Sequence, residues 1–224
     1  MPAVYAPENR EDELYDQAVQ RELDDEMLPE ITFDEAEHAY YLNGARVPSV
    51  TEILKPIQTV GGSEEVRDFK RQIGKALDTA ITLNERNDLD VDSLDEAVLP
   101  FFQAWLKFKT ESGFRVLLNQ PIVYSKKLRF AGTLDMLGTR NTGTSTPDEL
   151  IDTKCVWAMD PATAIQTAGY AIAAGESHGL KRLKRGGVQL LRDGTFRYFI
   201  YSNPSDEGVF RSLLNIFAWK ALQK

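Results

Sequence analysis

Ala131-Gly132-Thr133-Leu134-Asp135, Leu150-Ile151-Asp152-Thr153-Lys154 and Asp160-Pro161, with Gln166 and Tyr170 beyond it, follow one another in residues 131–170. Residues 130–138 and 149–157 are short apolar and β-branched runs bounded by turn residues, which predicts two buried strands. The polar loop at 139–147 lets them run antiparallel as a hairpin and sets Asp135 level with Asp152. Alternation puts Asp152 and Lys154 on one face of their strand and Ile151, Thr153 and Cys155 on the other. A carboxylate and an ammonium inside an apolar strand cost energy unless they pair or bind something. Two carboxylates converging with a nearby carbonyl make a hard-oxygen site suited to Mg²⁺ or Mn²⁺, ions that keep several waters and bind phosphate.

A helix follows. Asp160 suits its N-cap, Pro161 its first position, and Gly175 its end. Gln166 and Tyr170 are four apart and share one face, so an amide and a phenol stand beside the carboxylates. The competing reading is a buried ion pair on a core strand with an ordinary amphipathic helix after it.

Gly132-Thr133-Leu134-Asp135, Asp152-Thr153-Lys154 and Gln166-x-x-x-Tyr170 together resemble the PD-(D/E)XK nuclease superfamily, in its RecB-like, phage-type exonuclease branch. Asp-x-Lys alone is weak; the ordered set on strand, strand and helix is far more specific. The resemblance covers residues 31–224, motif by motif at 131–170 and only in pattern elsewhere. It implies an α/β fold with a restriction-endonuclease-like core, a mixed central sheet of about five strands with helices on its faces. It also implies hydrolysis of DNA phosphodiester bonds, with Asp135, Asp152 and the Thr153 carbonyl holding Mg²⁺ or Mn²⁺. Lys154 would orient or deprotonate the attacking water and stabilise charge on the phosphate, and Gln166 and Tyr170 would position the reacting groups.

The sequence departs from the family pattern twice. Where the family has glycine followed by histidine, this chain has Gly74-Lys75-Ala76-Leu77-Asp78, and Asp78 can ligate Mg²⁺ as well as an imidazole can. An exposed helix carboxylate is the competing reading. Where the family often has glutamate near the end of the first central strand (115–124), this chain has Gln120, followed by Pro121, which breaks the strand.

Elsewhere the chain reads plainly. Residues 1–30 hold ten Asp or Glu against Arg10 and Arg21, a net −8 that equals the charge of the whole chain. Residues 31–224 are therefore neutral, and the acidity belongs to a flexible, solvated leader or to a phosphate mimic. Ile31-Thr32-Phe33 and Tyr40-Tyr41-Leu42 predict strands around a loop with His38, and Asn43-Gly44 a tight turn. Ser49 and Glu52 are spaced as a capping box. Helices are expected at 63–84, with an apolar stripe from Val66 to Ile81, and at 95–112, whose aromatic face is read as core. A hairpin closed by Asp193-Gly194 precedes a last helix whose face of Val209, Phe210, Leu213, Leu214, Phe217 and Trp219 is expected to pack on the sheet.

Lys126, Lys127 and Arg129 in one turn, and Lys181, Arg182, Lys184 and Arg185 in the densest basic run, are candidate DNA-phosphate contacts. Solvated loops are the competing reading. One cysteine, Cys155, excludes an internal disulfide and a four-cysteine iron–sulfur cluster and suits the reducing cytoplasm, the host's if the chain is phage-encoded. No apolar run is long enough to span a membrane, and no signal peptide opens the chain.

Two readings of other classes compete with the enzyme. One is a catalytically degenerate DNA-binding relative. The other is an interaction component, partnered with a phage recombination or replication protein, in which the acidic leader is the functional part. DNA is the expected partner of the enzyme and of the first alternative.

Overall fold

The computed structural model describes residues 30–59 and 63–223. The acidic leader, apart from Glu30, lies outside them. Ile31–Asp34 (β1), Ala39–Leu42 (β2) and Ala45–Val47 (β3) form a small antiparallel sheet. Asn43 and Gly44 turn β2 into β3 with φ of 52° and 73°, the doubly positive pair a two-residue hairpin needs. β3 is short and partly polar, and nothing in its sequence announced it. Ser49 then caps Val50–Leu54 (α1) reciprocally. Its hydroxyl accepts from the Glu52 N–H at 3.0 Å, and the Glu52 carboxylate accepts from the Ser49 N–H at 2.9 Å.

Glu64–Glu85 (α2) and Leu99–Ser112 (α3) form the expected helix pair. The second begins later than predicted, because Asp95 turns its carboxylate back onto the Ala97 N–H at 2.7 Å and Pro100 fits the first helical turn. Phe101, Phe102, Trp105 and Phe108 are all buried, so this aromatic face is core. The α2 stripe divides: Ile73, Leu77, Ala80 and Ile81 are buried, while Val66 and Phe69 are exposed.

The remaining elements are Arg115–Asn119 (β4), Ile122–Ser125 (β5), Phe130–Thr133 (β6), Met136–Thr139 (β7), Glu149–Lys154 (β8), Ala162–Ser177 (α4), Lys184–Leu190 (β9), Phe196–Ile200 (β10) and Ser205–Ala221 (α5). The central sheet has the order β10-β9-β8-β7-β4, with β8 and β9 parallel and the other pairs antiparallel. Helices α2 and α3 pack with Met136, Ile151, Val188 and Leu190 on one face. Helices α1, α4 and α5 pack with Leu137 and Leu150 on the other. The result is a mixed α/β fold of three layers. Among the described residues no helix is long and apolar enough to cross a membrane.

Two breaks create the site, one where Pro121 is expected to interrupt the 115–124 strand and one inside the 130–138 run, expected to be continuous. The run at 115–124 divides at Gln120-Pro121, where Gln120 takes φ 49° and Pro121 has no N–H to donate. The run at 130–138 divides at Leu134-Asp135. Beyond the breaks β5 and β6 pair with each other as a separate two-stranded sheet. The last helix also differs from expectation. α5 packs against α4 and α1 through Phe210, Leu213 and Leu214, and Trp219 is exposed.

Gly138 on β7 lies under the Phe114 ring and beside the Arg115 carbonyl. A Cβ there would stand 2.2 Å from that oxygen and 2.5 Å from the ring. The oxygen is main chain and cannot swing away. Gly138→Ala is expected to destabilise the protein by about 3 kcal/mol, read as a lower urea midpoint at unchanged m-value.

Candidate active site

Asp135 stands at the break between β6 and β7. Extending the β7–β8 register, in which Met136 faces Ile151, by one residue sets Asp135 opposite Asp152. Its carboxylate Oδ2 accepts from the Thr153 N–H at 2.7 Å and from the Thr153 hydroxyl at 2.9 Å. Its own carbonyl accepts from the Gln120 N–H at 2.7 Å. Gln120, at the position where a glutamate was the family's choice, therefore fixes Asp135 through main chain while its side chain is exposed.

Asp152 is 0% exposed. Lys154 Nζ stands 2.6 Å from its Oδ2 as an ion pair, and its Oδ1, equally buried, has no hydrogen-bond partner among the described residues. Burial raises the Asp152 pKa, opposed by the Lys154 charge and helped by Asp135, to about 6. Burial would lower Lys154, but Asp152, Asp135 and Asp78 outweigh it and push the ammonium up to about 12. Asp78, on α2, belongs to the same electrostatic group. Burial, then Asp135 and Asp152, raise it to about 7 against the opposing Lys154 charge.

Gln166 and Tyr170 are buried on α4, on the sheet face that carries Asp152. The Gln166 amide donates to the Tyr170 hydroxyl at 3.5 Å, and burial, then Asp152 and Asp135, raise the phenol well above its ordinary value. Tyr170 lies against Gly132, where a Cβ would come 2.8 Å from its Cε1. The helix starts at Ala162, with Asp160 accepting from the Ala162 N–H at 2.8 Å and from the Thr59 N–H at 3.0 Å. It runs past Gly175 to Ser177.

The basic candidates fall elsewhere. Lys126, Lys127 and Arg129 are exposed on the β5–β6 turn, where the Lys127 N–H is held by Glu176, ten residues and about 15 Å along α4 from Gln166. Lys184 faces Glu149, at the opposite end of the parallel β8–β9 pair from Lys154, and pairs with Asp148 at 3.0 Å. Lys181 and Arg182 precede it and are exposed. Arg185, expected in a loop, is on β9. Its guanidinium is used inside the fold, donating to the Ala164 carbonyl at 2.9 Å, the Asn203 carbonyl at 3.1 Å and Asp206 at 2.8 Å. Charge density located these residues in sequence but could not show which end of a strand they would occupy.

Tyr201 was not singled out from sequence. Its hydroxyl lies 2.7 Å from where a Gly187 Cβ would stand, and Gly187 is the register partner of Asp152. That hydroxyl is buried without a hydrogen-bond partner among the described residues, and burial, then Asp152, push it up to about 12. The signal available was Gly186-Gly187 inside a strand, which marks close approach of another group. Burial, then Asp78, push the Cys155 thiol up to about 12, the state of a packing cysteine and not a nucleophile.

Among the described residues no three His, Cys, Asp or Glu side chains converge as a metal cage. The donor set suits a hard ion that keeps its waters and takes one or two carboxylates. The buried Oδ1 of Asp152 is the observation that fits it, since such an atom is costly without a partner.

The crowded carboxylates predict a pH effect on the metal-free protein. Asp78 binds its proton more tightly folded, near pH 7, than at its ordinary 3.8. The folded state therefore holds more protons between these values, and stability falls as pH rises through that window. In EDTA at pH 8, Asp78→Asn is expected to melt about 5 °C above the parent. At pH 4 the difference disappears, as a thermal denaturation series will show.

No protein-family model matches the chain, and no curated protein matches it. Among solved structures the chain is similar to an alkaline exonuclease from Laribacter hongkongensis, at 13% identity and a TM-score of 0.44, over 77% of this chain and 86% of that one.

Proposed function

We propose that this protein is a metal-dependent deoxyribonuclease that hydrolyses DNA phosphodiester bonds, acting as an exonuclease in phage or bacterial DNA processing. The observation that carries the reading is Asp152, a fully buried carboxylate opposite Asp135, with Lys154 paired to one oxygen and the other oxygen left without a partner among the described residues. Asp135 and Asp152, with the Thr153 carbonyl and Asp78, would hold Mg²⁺ or Mn²⁺. When bound, such an ion polarises a phosphoryl oxygen and lowers the pKa of water. Lys154, kept cationic by its partner, orients the attacking water and stabilises negative charge gathering on the phosphate; it does not take the proton. Gln166 and Tyr170 hold Lys154 and the scissile phosphate in register.

The test is cleavage of end-labelled linear and closed circular DNA with Mg²⁺, Mn²⁺ or EDTA. Metal-dependent loss of the linear substrate alone is the expected result, and its label gives the polarity. Cutting of the circle makes the protein an endonuclease. The departures at Asp78 and at Gln120, whose side chain is exposed, favour one second reading, a DNA-binding protein without turnover. DNA binding with no cleavage under any metal would establish it.

A further inference from the structure

The end of the sheet that carries Lys154 also opens a groove of about 570 Å³ between α2, the segment after β8 and the β9–β10 turn. Cys155 lines it from the strand face opposite Lys154, the face on which α2 packs, and its thiol feels the charges of Asp78, Lys154 and Asp135, so the groove lies next to the candidate site. Trp157 stands at its rim with 92% of its surface exposed, and Phe69, 46% exposed, lines the groove from α2. The indole is mounted on a fixed support: the buried Gln189 amide donates to the Val156 and Trp157 carbonyls at 2.9 and 2.7 Å. Three cations, Lys70, Arg192 and Arg197, line the groove, and no hydrogen bond or ion pair occupies them among the described residues. The one lining carboxylate, Asp193, is occupied by Thr195.

Trp157 and Phe69 line the same groove, and exposed apolar surface rimmed by charged side chains marks an interaction site. Unpaired cations around exposed aromatics match one chemistry, a flexible polyanion whose units carry flat faces: phosphates for the cations and bases for the rings. A duplex keeps its bases stacked and cannot offer those faces. We infer that this groove binds single-stranded DNA leading to or from the candidate site, with a base stacked on Trp157 and phosphates held by Lys70, Arg192 and Arg197. The inference rests on the nuclease reading for the strand's purpose, but binding can be measured without cleavage.

The experiment is fluorescence anisotropy of a labelled oligothymidylate and of a blunt hairpin duplex with the full chain in EDTA. Trp157→Ala is expected to weaken single-strand binding about 10-fold and duplex binding less than about 2-fold, with Trp157→Phe restoring most of the loss. Arg192→Ala combined with Arg197→Ala is expected to lower the salt slope of single-strand affinity by about 1.4. Unchanged single-strand affinity in Trp157→Ala, equal losses on both substrates, or no single-strand binding by the parent would overturn the inference. Metal-dependent cleavage by the parent reports separately. Its absence defeats the nuclease reading whatever the groove binds, whereas single-strand binding indifferent to Trp157 defeats the groove whatever the parent cuts.

Discussion

If the proposed nuclease activity holds, Lys154→Ala is expected to lower metal-dependent cleavage by about 10³-fold, and Asp152→Asn to do the same. The expectation follows from where these groups stand. Lys154 is paired with Asp152 at 2.6 Å, and preorganised charge in a partly dehydrated site is worth far more than in water. Asp152→Asn keeps the shape but removes a charge that an ion needs, so Mn²⁺ in excess is expected to restore only a part of the rate. Single-turnover rates on end-labelled DNA measure both. Folding must be separated from chemistry, because Lys154→Ala leaves Asp152 buried without its partner. The double variant Lys154→Ala, Asp152→Asn is therefore expected to melt above Lys154→Ala while being equally inactive. Wild-type cleavage by either single variant would remove these residues from the mechanism.

Arg185→Ala is expected to cost about 3–5 kcal/mol of stability, a fall in Tm on the order of 10 °C. The pair it breaks is enclosed: the Arg185 and Asp206 side chains are 10% and 9% exposed. One guanidinium joins β9 to the first turns of two helices, through the Ala164 carbonyl in α4 and Asp206 in α5. Removing it strands the Asp206 charge in a dry seam and frees the end of α4 that carries Gln166. Arg185→Ala combined with Asp206→Ala is expected to recover much of the stability, since two absent charges cost less than one unpaired charge. A single variant as stable as the parent in denaturant titration would show that the seam is wetter than it looks.

The order of elements was readable because each strong signal was local. The Ser49–Glu52 box, the Asn43-Gly44 turn and the buried aromatic face of α3 are decided within a few residues, and the structure places them as the pattern indicates. Strand alternation also set Asp152 and Lys154 together. The break at Gln120-Pro121 was announced by its proline, whereas the one at Leu134-Asp135 was hidden, because a continuous strand and a strand that changes sheets carry the same apolar pattern. Arg185 was misplaced for a related reason: a basic run records charge, whereas its partners Ala164 and Asp206 lie far away in sequence. Tyr201 and the cations at the groove could not be read at all, since Tyr201 reaches Asp152 only through the parallel β8–β9 pairing and Lys70, Arg192 and Arg197 come from elements far apart in sequence.

The contact between Gly132 and Tyr170 makes one object of two motifs that the chain writes far apart. With Tyr170 Cε1 where a methyl group would need to be, neither position can drift alone. Enlarging residue 132 would push the ring, and with it Gln166, off the carboxylates; shrinking residue 170 would open a void under α4. Inheritance should therefore treat them as a pair: in descendants of this chain, a side chain gained at 132 should coincide with a smaller one at 170.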